Sequence, residues 1–148
     1  MLELSVRLRR IGEAAEATGL TPRTIRYYEE LGLLKPAAHI TGGNRRYDDE
    51  DIERLNLIKQ LREVVGLSLA DIQEFLETET ERREVKRQYH ATSDPARQAA
   101  LLERVEPTLR RRVHLLEQKL TAVQAMLVEE RARLHRVQAL RSELKDTR

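Results

Sequence analysis

A 3.5-residue apolar repeat near the end of this 148-residue chain limits its possible folds more than any other feature. Leu109, Val113, Leu116, Leu120, Val123 and Leu127 alternate steps of four and three, and Leu134, Val137 and Leu144 keep the register. Glu130 and Arg141 are its two interruptions. A stripe held over about five heptads keeps one side of a helix turned toward a partner helix, the pattern of a coiled coil. At 1.5 Å per residue it spans about 54 Å. The module that precedes it is too small to cover that length. The seam, with Leu109 to Val137 as its main dimerisation residues, is therefore expected to belong to a homodimer.

Composition agrees with a mainly α protein. Charged residues are 35% and aromatics only 3%, so the apolar content is mostly aliphatic. The absence of cysteine excludes disulfides, thiolate metal sites and cysteine nucleophiles. No apolar run approaches the roughly 18–20 residues of a membrane span, and the N-terminus lacks the apolar stretch of a signal peptide. A cytoplasmic protein is expected. Residues 1–77 carry 11 basic and 14 acidic side chains, and residues 78–148 carry 16 and 11. Any nucleic-acid binding by the first part must therefore use a local patch and not bulk charge.

The N-terminal part reads as short helices with clear stops. Ile11 to Thr18 places Ile11, Ala14, Ala15 and Thr18 on one face, and Gly19 ends the helix. Thr21-Pro22 is an N-cap followed by a favoured first residue. The second helix runs to about Leu31 and stops at Gly32. Two short helices around a tight glycine turn form a helix-turn-helix. Leu33-Leu34 is expected as a short strand broken by Pro36. Gly42-Gly43-Asn44 then joins two extended stretches in a hairpin, which makes a wing. A third helix capped by Asp48 or Asp49 should run to about Val65 with the stripe Ile52, Leu55, Ile58, Leu61 and Val65. A fourth begins at Ser68 and carries Leu69, Ile72, Phe75 and Leu76. The charged stretch from Glu77 to Arg87 is expected as a solvated helix or linker. Ser93-Asp94-Pro95 starts another helix, and Pro107 should kink it or begin a new one.

The second helix, "RTIRYYEELG", holds two of the chain's five aromatics side by side. On a helical wheel with Arg23 at the origin, Tyr27 falls at about 40° and Arg26 at about 300°, whereas Tyr28 and Ile25 fall at about 140° and 200°. Ile25 and Tyr28 face the core; Arg23, Arg26 and Tyr27 face outward. Arginine pairs with phosphate or with guanine O6 and N7, and the second helix of a helix-turn-helix enters the major groove. A second basic-aromatic set, Arg45-Arg46-Tyr47, closes the wing. The expected DNA-binding residues are thus Arg23, Thr24, Arg26, Tyr27, Tyr28, Arg45, Arg46, Tyr47 and Lys59, with Arg62, Arg9 and Arg10 as weaker candidates. His39, His90, His114 and His135 show no ligand spacing, so no metal site or cofactor is expected. Nothing resembles a catalytic triad, a phosphate-cradling glycine loop or a carboxylate pair in a pocket, so catalysis is not expected.

"IGEAAEATGLTPRTIRYYEELGLLKP" followed by "RRYDDEDIERLNLIKQLREVVGLSLADIQEFL" resembles the MerR family of bacterial transcription regulators. The resemblance covers about Arg10 to Leu76. It implies dimers that bind pseudo-palindromic promoter operators with an over-long spacer, and an effector-bound form that bends and untwists the DNA for RNA polymerase. It implies an antiparallel dimerisation coiled coil. It supports Arg23, Arg26, Tyr27, Tyr28 and Arg46 as DNA contacts, and Lys59 as a phosphate contact. Tyr28 is then asked to lie inward on the wheel and still reach a phosphate with its hydroxyl. The family's cysteine sensor site and separate ligand domain have no counterpart in this sequence. The expected organisation is a winged helix-turn-helix over 8–76, a helical linker over 77–106 and a dimerisation helix over 107–146. Any small-molecule effector pocket is expected near Tyr89, His90 and Pro107. The partners expected are promoter DNA, a second copy and, through the promoter, RNA polymerase, in a bacterial nucleoid-associated setting. The competing reading is an architectural DNA-bending or protein-interaction module with the coiled coil as scaffold.

Overall fold

A computed structural model describes residues 6–35 and 37–147. Contacts divide the chain into two compact units, one through Arg83 and one from Glu84.

In the first unit, α1 (Ile11–Thr18) and α2 (Pro22–Glu30) form the helix-turn-helix. The small residues Ala14 and Ala15 are buried and let α2 approach closely, so that Ile25 and Tyr28 fill the core with Leu20. Gly19 supplies the left-handed turn at φ +70 that ends α1. Leu33 and Leu34 are buried, at 2% and 6% exposure, but they are not a strand. No strand among the described residues lies beside them to pair with. Instead the Leu33 N–H donates to the Tyr28 carbonyl at 3.0 Å and its own carbonyl accepts from Arg54 Nε at 2.6 Å. Pro36, expected to break that strand, lies outside the described residues.

The wing is the antiparallel pair β1 (His39–Thr41) and β2 (Asn44–Arg46), with Ile40 opposite Arg45. Its turn needs two consecutive positive φ values, supplied by Gly42 and Gly43. Arg9 and Tyr47 exchange both backbone hydrogen bonds at 2.9 Å and extend the pairing by one bridge.

Asp48 caps α3 (Asp49–Lys59), accepting from the Asp51 N–H at 2.9 Å while the Asp51 carboxylate accepts from the Asp48 N–H at 3.2 Å. The expected single helix to Val65 changes character after Lys59: Gln60–Val65 is a π-helical turn ended by Gly66. Leu55, Ile58 and Leu61 of the expected stripe are buried. α4 (Leu69–Ala91) buries Ile72, Phe75 and Leu76 and continues without a break through the charged stretch. That stretch is not simply solvated. Thr78 and Glu79 are buried, and Glu79 accepts from Arg82 at 2.7 and 3.0 Å and from Arg83 at 3.2 Å. A buried carboxylate held by two guanidinium groups is what allows so charged a sequence to pack.

In the second unit, the end of α4 lies against α5 (Pro95–Asp146), whose N-terminus is capped by Asp94. Val85, Leu101 and Val105 are the buried cluster, and Tyr89 packs on it. Of the kink or new start expected at Pro107, there is no new start: α5 runs through it as one helix. The proline has no N–H and so removes one helical donor there. From Leu109 to Leu144 the nine stripe residues are all between 38% and 73% exposed. No helix among the described residues is long and apolar enough to cross a membrane.

Candidate nucleic-acid interface

α2 is held rigidly at its start. The Thr21 hydroxyl accepts from the Thr24 N–H at 3.1 Å, and the two hydroxyls lie 2.9 Å apart. Thr24 is therefore half-buried and occupied in the cap, whereas Arg23 and Arg26 are exposed and have no ion-pair partner among the described residues. Tyr27 is 48% exposed and Tyr28 only 5%, with ring centroids 6.0 Å apart, so the adjacent tyrosines divide between solvent and core.

Between α2 and the wing lies an open cleft of about 580 Å³. Arg10, Arg26, Arg45 and Arg46 line it, together with Tyr47 and with Gly42, Gly43 and Asn44 of the wing turn. Four guanidinium groups around a cleft, that of Arg45 already paired with Asp51, make a local positive potential in a unit whose overall charge is acidic. The one acid on its wall, Glu29, is already engaged: it accepts from the Tyr47 hydroxyl.

Four of the expected DNA contacts are buried or already partnered within the first unit, although Arg45 and Tyr47 also line the cleft. Tyr47 is 1% exposed and belongs to the core. Arg45 is turned inward by strand alternation. It donates to Asp51 Oδ1 at 2.8 Å and to the Lys35 carbonyl at 3.0 Å, and its guanidinium lies 5.2 Å from the Tyr47 ring centre. Tyr28 is packed beneath α2. Lys59 donates to the Thr18 carbonyl at 3.0 Å and so caps the C-terminal end of α1, where a cation is favoured. Of the weaker candidates, Arg9 is taken up by Asp49 at 2.7 Å, and Arg62 donates to the Leu67 carbonyl at 3.4 Å.

Burial sets the electrostatics behind the cleft. It pushes the Asp51 carboxyl up from the ordinary aspartate value, against the opposing pull of Arg45. It pushes the Tyr47 hydroxyl up strongly, helped by the hydrogen bond to Glu29, and the Tyr28 hydroxyl up as well, with Glu63 adding to it. Glu29 and Asp51 were not singled out from the sequence. One signal was available for Glu29: it falls at about 240° on the wheel, between inward Ile25 and outward Arg26.

Residues 9–79 match the family model described as MerR HTH family regulatory protein. The HTH-type transcriptional regulator YfmP of Bacillus subtilis strain 168 is 35% identical over 116 residues, covering 78% of this chain and 83% of that protein. The nodulation protein NolA of Bradyrhizobium elkanii is 48% identical over 71 residues, 48% of this chain, which spans only 32% of that longer relative. The crystal structure of HiNmlR, a MerR family regulator lacking the sensor domain, bound to promoter DNA, matches at 26% identity and a TM-score of 0.45, covering 78% of this chain and 80% of that one. The chain therefore belongs to the MerR family of helix-turn-helix transcriptional regulators.

Proposed function

We propose that this chain binds a pseudo-palindromic promoter operator as a homodimer and distorts the promoter spacer to control initiation by RNA polymerase. The observation that carries the reading is the outward face of α2. Arg23, Arg26 and Tyr27 are exposed there, next to the cleft lined by Arg10 and Arg46. The helix would enter the major groove with its arginines at base edges or phosphates, and the wing would follow the neighbouring backbone. Residues 8–76 serve as the DNA-binding module, 77–106 as a helical insertion and 107–146 as the dimerisation helix. A two-fold pair of such modules matches a two-fold operator. Membership of the family supports the spacer mechanism and an antiparallel seam. The protein would act in the bacterial cytoplasm at the nucleoid, with any small-molecule effector bound at the Tyr89–Pro107 region of the insertion.

Genome-wide occupancy of the tagged protein, followed by footprinting of the strongest sites, tests this. Sharp palindromic sites within promoters of stretched spacer length support it. Broad, sequence-indifferent occupancy would favour an architectural DNA-bending role instead.

A further inference from the structure

The wing is a two-stranded hairpin of three-residue strands, too small to hold an orientation by itself. Beyond the Arg9–Tyr47 backbone bridge at its end, its angle to α2 rests on side chains. Glu29, near the C-terminal end of α2, supplies two of these ties with one carboxylate. Oε1 accepts from the Tyr47 hydroxyl and lies 3.7 Å from Arg45 Nε. Arg45 continues to Asp51 at 2.8 Å, which ties the wing to the start of α3. Arg26 stands one turn before Glu29 on α2, and Arg46 stands next to Arg45 on β2; both line the same cleft. The Glu29 contacts thus set the separation between an arginine of the recognition helix and an arginine of the wing.

We propose that Glu29 is a positioning residue that clasps the wing to the recognition helix, and that Arg45 and Tyr47 support DNA binding through this clasp and not by touching DNA. Arg45 would have to abandon Asp51 and Glu29 to reach a phosphate, leaving partly buried carboxylates without their cation. That exchange is unfavourable, because an orphaned buried charge costs more than one exposed phosphate contact returns. Arg46, its neighbour, has no such ties among the described residues. The inference rests on the DNA-binding reading above and adds a division of labour within it. Contact is assigned to Arg23, Arg26 and Arg46, and alignment to Glu29, Arg45, Tyr47 and Asp51.

The division predicts a pattern of coupling that simple destabilisation does not produce. Arg23 lies in the first turn of α2, outside the cleft, and its position depends on α2 alone. Loosening the clasp should therefore devalue Arg46 and leave Arg23 unaffected. The test uses the full chain and a duplex that it enriches from a random pool, with Kd measured at fixed salt. Arg46→Ala and Arg23→Ala are each made in wild type and in Glu29→Gln. In wild type, Arg46→Ala should weaken binding about tenfold, the loss of one charge-assisted contact. In Glu29→Gln the same change should cost less than about twofold, because non-additivity marks residues that act together. Arg23→Ala should cost the same factor in both backgrounds. Tyr47→Phe, which keeps the buried ring and removes only the hydroxyl, should reproduce the pattern if Glu29→Gln folds poorly. Equal Arg46→Ala penalties in both backgrounds, with Arg23 still contributing, would overturn the clasp and leave the DNA-binding reading standing. Failure to enrich any duplex would overturn both.

Discussion

Replacing Leu120 by Asp tests the seam, and its expected size follows from exposure. Leu120 is 56% exposed in the single chain, so about half of its side chain is left for a partner to cover. Full burial of a leucine is worth about 1.5–3 kcal/mol, which gives about 1–1.5 kcal/mol per copy and about 2–3 kcal/mol for the two copies in a dimer. The substitution also places two carboxylates in the seam, where incomplete solvation adds several kcal/mol. A loss of at least ~4 kcal/mol weakens dimerisation by roughly a thousandfold. The cost to the helix itself is only about half a kcal/mol, because Asp differs modestly from Leu in helix propensity. Sedimentation equilibrium should therefore show a monomer whose circular dichroism still reports helix. Val128→Asp is the control. Val128 is 67% exposed but lies off the register, so its change should leave the dimer intact. A Leu120→Asp protein that stays dimeric, or a Val128→Asp protein that dissociates, would refute the heptad assignment.

Arg26→Ala should weaken operator binding, and if the contact is to a base, about 1–3 kcal/mol of sequence discrimination should go with it; unchanged affinity at matched salt would remove Arg26 from the interface. Gly19→Ala should destabilise the first unit by about 1–2 kcal/mol, since a left-handed backbone penalises a Cβ. The new Cβ would also lie 2.7 Å from the Lys59 Nζ that caps α1; an unchanged urea midpoint would contradict both points. Tyr47 offers a pH signature. Its folded pKa is raised above the ordinary value of 10.0, so the folded chain keeps a proton that the unfolded chain releases. The stability from this group is fully present below pH 10 and is lost as pH rises toward the folded pKa. Tyr47→Phe should thus flatten the alkaline fall in stability by about 1.4 kcal/mol per pH unit, the value of one proton; equal slopes in chemical denaturation would argue that Tyr47 ionises normally.

The parts legible in the sequence are those written in local chemistry. Gly19, Thr21 and Pro22 announce a helix end and a helix start with little dependence on the rest of the chain, and the wheel separates Tyr27 from Tyr28 because α2 is a regular helix. The double glycine at 42 and 43 likewise encodes a tight hairpin. What could not be read depends on partners distant in sequence. Arg45 and Arg46 look alike as letters. Which one faces inward is decided by Asp51 and Glu29, six residues after and sixteen before. Tyr47 looks like an aromatic beside a basic patch until the Arg9 backbone closes over it. The apolar pair Leu33-Leu34 suits a strand, but no strand among the described residues pairs with it, and burial uses those side chains. The change of helix type after Lys59 leaves the apolar spacing almost unaltered and so sends no signal. Glu79 lies in a stretch whose composition suggests solvent, and only the pairing with Arg82 and Arg83 makes its burial tolerable.

The central claim is that the outward face of α2 reads DNA sequence. Selection from a random duplex pool with the full chain and with an Arg23→Ala/Arg26→Ala double variant tests it directly. The account expects the wild type to enrich a two-fold symmetric site with specific bases at fixed positions in each half, and the variant to lose that preference while remaining folded and dimeric. Enrichment of the same site by both proteins, or of no site by the wild type, would contradict it.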